Sequence, residues 1–374
     1  SNMPTEDTEL HTCCDCGDNV EETNSNDRCA PCEDDYFHCT SCEDEVHVDD
    51  TFSAYDQLYC EECFYDVYDW CSDCGESFHR EDLRYQNDET YCEDCRPCEE
   101  DDMADSIDRR SIPSSSRIGN SFNYPVRRLV GIEAECLYPE TEDMDSPLYW
   151  ASTHDGSISS EGGYSGIEMV SRPCSGDSIV EAVDKLVMWS NDNGAVVNRS
   201  CGLHVHFNSL DLTAREVSHI AIVYTHFEQV LKGMMPNSRQ SSNWCKDFPI
   251  PIGYLRKIDN EHSLIAYYYD YMESSPSSEK YNDARYCGLN IHSRYYHGSI
   301  EFRLHSGTLN KTKILNWVSI LNCIIEKGIE LSNVDDKKYK KWIGKNPTSQ
   351  LKEMFGDKLH SYINKRTEKF KGNR

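Results

Sequence analysis

The stretch "CGLHVHFN", residues 201–208, sets His204 and His206 one residue apart in a run of Leu, Val and Phe. On an extended strand, side chains two residues apart point to the same face. His204 and His206 then share one face, while Leu203, Val205 and Phe207 share the other. Two histidines on one strand make an unremarkable solvated edge unless acidic strands lie beside them. Such strands are present. In "RRLVGIEAECLY" (127–138), Glu133 and Glu135 alternate with Ile132 and Ala134. In "GIEMVSRP" (166–173), Glu168 stands between Ile167 and Met169. In "GSIEFRLHS" (298–306), Glu301 and Arg303 alternate with Ile300, Phe302 and Leu304. The pattern predicts a sheet with one apolar face and a second face lined by four glutamates, two histidines and an arginine.

Helical signals surround these strands. Amphipathic or apolar runs over 175–194, 212–232, 312–332 and 348–366, with a further one near 260–273, predict helices. Residues 284–293 pair in expectation with 298–306, and 233–284 read as irregular and aromatic. The fold class is α+β, an antiparallel sheet backed by helices. Carboxylates crowded on one face raise one another's pKa unless cations neutralise them. Oxygen-rich sites of this kind suit Mg2+ or Mn2+, imidazole fits beside them, and Arg303 among the acids suits a phosphate.

The first hundred residues are of another kind. They hold 31 Asp or Glu against 4 Arg and no Lys, a net of −27, so nearly all of the chain's −29 lies there. That field opposes a nucleic-acid backbone and favours a basic protein partner, or serves as a solubilising surface. Fourteen of the 20 cysteines fall between Cys13 and Cys98. Twelve form six C-x2-C pairs: Cys13/Cys16, Cys29/Cys32, Cys39/Cys42, Cys60/Cys63, Cys71/Cys74 and Cys92/Cys95. Two such knuckles can close a tetrahedral zinc shell, so three structural Zn2+ ions are expected. "CTSCEDEVHVDDTFSAYDQLYCEEC" (39–63) repeats as "CSDCGESFHREDLRYQNDETYCEDC" (71–95), with His47/His79 and Tyr59/Tyr91 aligned, and 13–32 is a shortened copy. Pairing in series or cross-braced stays open, as do the roles of His47, His79, Cys14 and Cys98. The module resembles LIM-like and zinc-ribbon interaction modules, which implies protein binding. The expected organisation is a zinc-binding module over 1–98, a linker over 99–126 and a catalytic domain over 127–374. The acidic start and the lack of a long apolar run lead to the expectation of a cytoplasmic chain without a membrane contact.

The motifs "GIEAE", "HDGSI", "GIEMVSRP", "CGLHVHFN", "LN" (289–290) and "GSIEFR" together resemble the amidoligase family, over about 127–330. These are carboxylate–amine ligases with a glutamine synthetase-like fold. The resemblance implies ATP-dependent amide formation with Mg2+. It makes Glu133, Glu135, Glu168 and Glu301 metal ligands, His204 or His206 a metal or nucleotide-phosphate contact, and Arg303 a phosphate contact. Arg239 and Arg285 become candidates for phosphate or substrate carboxylate. Asp155 in "HDGS" is either a base for the incoming ammonium or the shaper of a turn. The competing readings are a metal-dependent hydrolase built on the same acids and histidines, and a zinc adaptor carrying a degenerate ligase fold. A thiol nucleophile at Cys201 competes with a packed small residue at that position. H-E-x-x-H, G-x-S-x-G and P-loop patterns are absent.

Overall fold

The computed structural model describes residues 10–86, 89–95, 100–112, 123–140 and 145–371. It divides into two compact units, Ser1–Pro97 and Cys98–Arg374.

The first unit consists of three small cysteine-centred repeats. Each begins with a knuckle whose first cysteine N–H donates to a carbonyl five residues on: Cys13 to Asp18 O at 2.8 Å, Cys39 to Asp44 O at 2.8 Å, Cys71 to Glu76 O at 2.9 Å. The residue after the second cysteine has a positive φ in every repeat: 78° at Gly17, 64° at Glu43 and 71° at Gly75. Glycine takes this conformation freely and glutamate does not. Short hairpins flank the knuckles, Tyr36–His38 with Glu45–His47 and Tyr68–Trp70 with Ser77–His79. His47 and His79 accept the backbone N–H of Asp49 and Glu81 through Nδ1, at 3.2 and 3.3 Å, and so cap matching turns. The apolar clusters are tiny. Ala54, Tyr59 and Phe64 pack with Cys39 in one repeat, and Leu83 and Tyr91 with Cys71 and Cys92 in the next. Cores of that size cannot hold a fold alone.

The second unit is built on one six-stranded antiparallel sheet. Its strands are β1 (Val130–Pro139), β2 (Trp150–Thr153), β3 (Tyr164–Ser171), β4 (Gly202–Asn208), β5 (Leu289–Asn290) and β6 (Ser299–Ser306), in spatial order β2-β3-β1-β4-β6-β5. The apolar face lies under helices α2 (Asp177–Asn193), α3 (Ala214–Gly233) and α5 (Lys311–Ser332). Leu203, Val205, Phe207, Ile300, Phe302 and Leu304 are fully buried there, with Phe207 edge-on to Phe302 at 5.9 Å. Thr213 and Glu216 form a capping box that starts α3, and Asn310 caps α5 through the Lys313 N–H. Helices α3 and α5 approach closely at Gly328, where a Cβ would stand 2.5 Å from the Ile220 Cα. The unit ends in α6 (Asp336–Ile343) and α7 (Leu351–Lys371).

Three expectations are corrected. The linker read over 99–126 begins as helix α1 (Glu100–Arg109), which buries Met103, Ala104 and Ile107 in the main core. Arg110, just after it, donates to the Arg294 and Tyr295 carbonyls. The expected strand over 284–293 shrinks to Leu289–Asn290, because a 3-10 turn at Asp283–Arg285 and a helical turn at Ser293–Tyr296 close it from both sides. Strand β2 was not expected, since only Trp150 of its four residues is apolar and buried. Among the described residues no helix is long and apolar enough to cross a membrane.

Candidate functional site

The register of the sheet gathers the acids and histidines. Glu133 faces His204 on one side and Val170 on the other, Glu135 faces Glu168, and His206 faces Glu301, which in turn faces Asn290. With alternating side chains, this lays a band of polar groups across five strands, from Glu168 to Asn290. His204 Nδ1 stands 3.3 Å from Glu133 Oε2 and 3.3 Å from Glu301 Oε1, and its Nε2 3.5 Å from Glu135 Oε1. His206 Nε2 is 3.0 Å from Glu133 Oε1 and 3.7 Å from Glu301 Oε1. Arg303 Nη1 donates to Glu301 Oε1 at 2.9 Å, and Asn290 Nδ2 donates to Glu301 Oε2 at 2.6 Å.

A bulge in β6 adjusts the band. Between Leu203 and Val205 the partner strand runs from His305 to Phe302, one residue too many. Bulges re-aim side chains and interrupt ladder bonds. Arg239 takes up the consequence: its Nη2 donates to Arg303 O at 2.5 Å and its Nε to Leu304 O at 3.2 Å. Its guanidinium lies so close to Gly202 that a Cβ there would be 2.6 Å from Nη2. The Gly202 N–H donates to Glu135 Oε2 at 2.6 Å. Thus the glycine of "CGLHVHFN" makes room for Arg239 and anchors Glu135.

The charges perturb one another as crowding requires. Burial alone would raise Glu133, but His206 and His204 hold its carboxyl well below the usual range. Burial opposes ionised Glu301 as well, and Arg303 with the two histidines outweighs it, giving about 2. His206 is pushed up to about 9, since Glu133 and Glu301 overcome the burial that would lower it. Glu168 has no such partner. Burial, then Glu133, Glu135, Asp155 and Glu301, raise it to about 8. A cation between these carboxylates would remove that penalty.

Two groups of donors can each hold an ion: Glu133, His204 and Glu301, and Glu135, Glu168 and His204, with ligand atoms within 4.8 Å of one another. Carboxylate oxygens joined by one imidazole fit a hard or borderline divalent cation. His206 Nε2 meets Glu133 Oε1 at 3.0 Å, while Ser299 Oγ (2.8 Å) and Ser293 Oγ (3.3 Å) engage its Nδ1. The cysteines sort in series into Cys13/Cys16/Cys29/Cys32, Cys39/Cys42/Cys60/Cys63 and Cys71/Cys74/Cys92/Cys95. Cys16 and Cys29 sulfurs are 3.8 Å apart, and those of Cys42 and Cys60 3.9 Å. Thiolates at about 2.3 Å from a tetrahedral ion stand about 3.8 Å apart, so these sets fit Zn2+ and lie far outside disulfide length. Cys14 stands outside them, exposed, with its thiol toward Asn26 O, and Cys98 lies outside the described residues.

All ten candidate residues of the second unit line one cavity of about 500 Å3: Glu133, Glu135, Asp155, Glu168, His204, His206, Arg239, Arg285, Glu301 and Arg303. Asp155 Oδ1 accepts the Ser157 N–H at 2.8 Å and the Ser157 hydroxyl at 2.6 Å, so it shapes the turn while lining the cavity. Cys201 is buried in a small apolar cluster with Leu137 and Ile158. The cavity also includes residues not singled out from sequence, chiefly Trp244, Lys280, Tyr281, Tyr286 and His292, all from 233–298. A second, more apolar groove of about 220 Å3, with Leu129, Val130 and Pro173, shares Glu133, Val170, His206 and His297 with it.

No curated protein sequence matches the chain. Among solved structures, a bifunctional glutathione synthetase from Pasteurella multocida is similar at 10% identity and a TM-score of 0.33. The match covers 65% of this chain and 47% of the synthetase, so the chain spans about half that protein's length. The decisive likeness is at the level of family. Residues 121–325, which carry all six strands and both candidate ion sites, match the family described as "Putative amidoligase enzyme". With more than half of its length inside that match, the chain belongs to the amidoligase family.

Proposed function

We propose that the protein is an ATP-dependent carboxylate–amine ligase with a glutamine synthetase-like catalytic fold, forming an amide or isopeptide bond through an acyl phosphate. The observation that carries this reading is the meeting of four carboxylates and His204 with the Arg303 guanidinium in one cavity. Such a site can hold two anions that must meet: a donor carboxylate and the γ-phosphate of ATP. Glu133, His204 and Glu301 would hold one Mg2+ or Mn2+, and Glu135 and Glu168 would offer carboxylates to a second, since one neutral imidazole can ligate only one ion. Bound there, the ions would neutralise phosphate oxygens and let two anions approach.

The chain's own residues do the remaining work. Arg303, fixed by Glu301 and by Trp244 O at 3.3 Å, presents a positive charge to the transferring phosphoryl group. The donor carboxylate oxygen attacks the γ-phosphorus, ADP leaves with the bridging oxygen, and an acyl phosphate forms. An amine then attacks the acyl carbon, loses its proton and expels inorganic phosphate. Asp155, whose Oδ2 is not used by the turn, is placed to take that proton. The apolar groove beside Glu133 and His206 suits the base of the nucleotide. The zinc-binding unit stays outside the chemistry, because a four-thiolate shell leaves no open position for a reactant. Its charge of −25 over residues 1–97 suits capture of a basic, amine-bearing protein.

The test is ADP release with Mg2+ across pooled carboxylates and amines, with product mass spectrometry. Turnover that needs nucleotide supports the ligase. Turnover without it points to the hydrolase, and neither turnover nor nucleotide binding points to the adaptor.

A further inference from the structure

Two cations at the mouth of the cavity have no acidic partner. Among the described residues, neither Lys280 nor Arg285 makes an ion pair, in a chain with 66 acids and 37 bases. Arg285 Nε is buried without a hydrogen bond, and its Nη1 reaches only the Lys280 carbonyl at 3.3 Å. The guanidinium is held by rings instead, 5.3 Å from the Tyr281 centroid and 5.1 Å from that of Tyr286. Lys280 Nζ lies 5.3 Å from Tyr281 on the same rim. Stacking on rings positions a guanidinium while leaving its donors for an anion. Tyr286 also meets Arg303, at 5.7 Å, so one ring contacts both the reaction-side guanidinium and the rim one. Trp244 packs edge-on to Tyr286 at 5.1 Å and is 50% exposed, and Tyr281 is 67% exposed. Large aromatic rings exposed on a cavity rim suit a substrate that extends beyond the cavity.

Resting on the ligase reading above, we propose that the donor is an acidic peptide: one carboxylate reacts beside Arg303 while a neighbouring carboxylate of the same chain is held by Arg285 and Lys280, its backbone lying over Tyr281 and Trp244. Both guanidiniums contact a single ring, at 5.1 and 5.7 Å from its centroid, so they stand within reach of two or three residues of extended chain at about 3.3 Å each. A free amino acid would leave the exposed rings uncovered.

Calorimetry on the full chain tests this without a turnover assay. The probes are acetyl-Glu-Glu-amide, acetyl-Glu-amide, acetyl-Gln-Gln-amide and L-glutamate, each titrated with and without Mg2+ and a non-hydrolysable ATP analogue. The expected result is at least tenfold tighter binding of the Glu-Glu probe than of the other three. In Arg285→Gln/Lys280→Gln that advantage should vanish, while affinity for the Mg2+–nucleotide analogue moves less than twofold. Arg285→Lys should restore part of it. Equal binding of the Glu-Glu and Gln-Gln probes overturns the proposal. So does L-glutamate binding as tightly as the peptide, or a double variant that loses nucleotide and keeps peptide, which would assign both cations to phosphate. If the peptide binds as expected but no amine supports ADP release, the ligase reading fails and the acidic-peptide site stands.

Discussion

Replacing Gly202 by Ala perturbs the site at a single atom. The new methyl would stand 2.6 Å from Arg239 Nη2, 3.1 Å from its Cζ and 3.0 Å from His204 Nε2. Neither group can swing away freely. Arg239 is 5% exposed and donates to the two carbonyls at the β6 bulge, while His204 lies among three carboxylates. Overpacking a tight core costs about 1–3 kcal/mol. Loss of one charged hydrogen bond to a buried carbonyl adds about 1.5–3 kcal/mol. With partial relaxation, the expected destabilisation is about 2–4 kcal/mol. The assay is scanning calorimetry of the full chain, following the transition that survives zinc chelation. Arg239→Ala alone should also destabilise, by stranding the Arg303 and Leu304 carbonyls. In the double variant the methyl gains the vacated space, so the pair should cost at least about 1 kcal/mol less than the two singles combined. A Gly202→Ala protein within about 0.5 kcal/mol of wild type, or strict additivity with Arg239→Ala, would refute the packing account of this glycine.

Metal analysis should find three zinc ions per chain, and chelation should unfold the first unit while leaving the second intact; freshly prepared protein containing disulfides within 13–95 would contradict this. Glu301→Ala should weaken binding of a Mg2+–nucleotide analogue by at least about 10- to 100-fold in calorimetry, the loss that removing a partner of a ligand already brings, and an unchanged affinity would remove Glu301 from the ion site. Acid should destabilise the second unit through buried histidines away from the ion sites. Burial lowers His305 to about 3 and His219 to about 4, and His219 must be neutral to accept from Arg256 Nη1 at 2.5 Å. Both are neutral when folded and take up a proton on unfolding. Their contribution is therefore complete above about pH 6.5 and declines as pH falls toward 4, by about 1.4 kcal/mol per pH unit for each. Chemical denaturation at pH 7 and 5 reads this against Glu168, which, raised to about 8, works in the opposite sense; a pH dependence unchanged in His219→Gln/His305→Gln would show that neither ring is held neutral.

Much of the site was legible because strand alternation leaves a period of two in the sequence. Glu133, Glu135, His204, His206, Glu301 and Arg303 all sit in phase, so their common face could be read without coordinates. The cysteine spacing likewise foretold the three metal sets, although only the structure places the knuckles in series. What failed had no periodic signature. Met103, Ala104 and Ile107 bury one side of α1, but the acids in "EEDDMADSIDRR" hid that side within apparent linker composition. Arg239 reads in sequence as a free cation, and its partners, the carbonyls of a bulge more than sixty residues away, leave no mark in sequence. The rim of Trp244, Lys280, Tyr281 and Tyr286 comes from an irregular segment whose shape is set by individual contacts, such as Tyr269 OH to Ser277 O at 3.2 Å and the Asn282 amide to Ser277 Oγ at 2.9 Å.

The strand order β2-β3-β1-β4-β6-β5 also bears on how the chain comes to be folded. Strand β1 needs β4, some seventy residues on, and β4 needs β6, nearly a hundred further. Until β6 emerges from the ribosome, Glu133 and Glu135 lack the nearby charge of Arg303, and the apolar face of β4 lacks Phe302. Pairings this distant in sequence close late, and the apolar strands stay exposed until they do. The cysteine repeats are the reverse. Each closes within about 25 residues, so each can take its ion and fold while the next is still being made. The acidic repeats, which precede the domain in the chain, can then close first, a charged segment tethered to a nascent domain at the stage when that domain is most prone to aggregate.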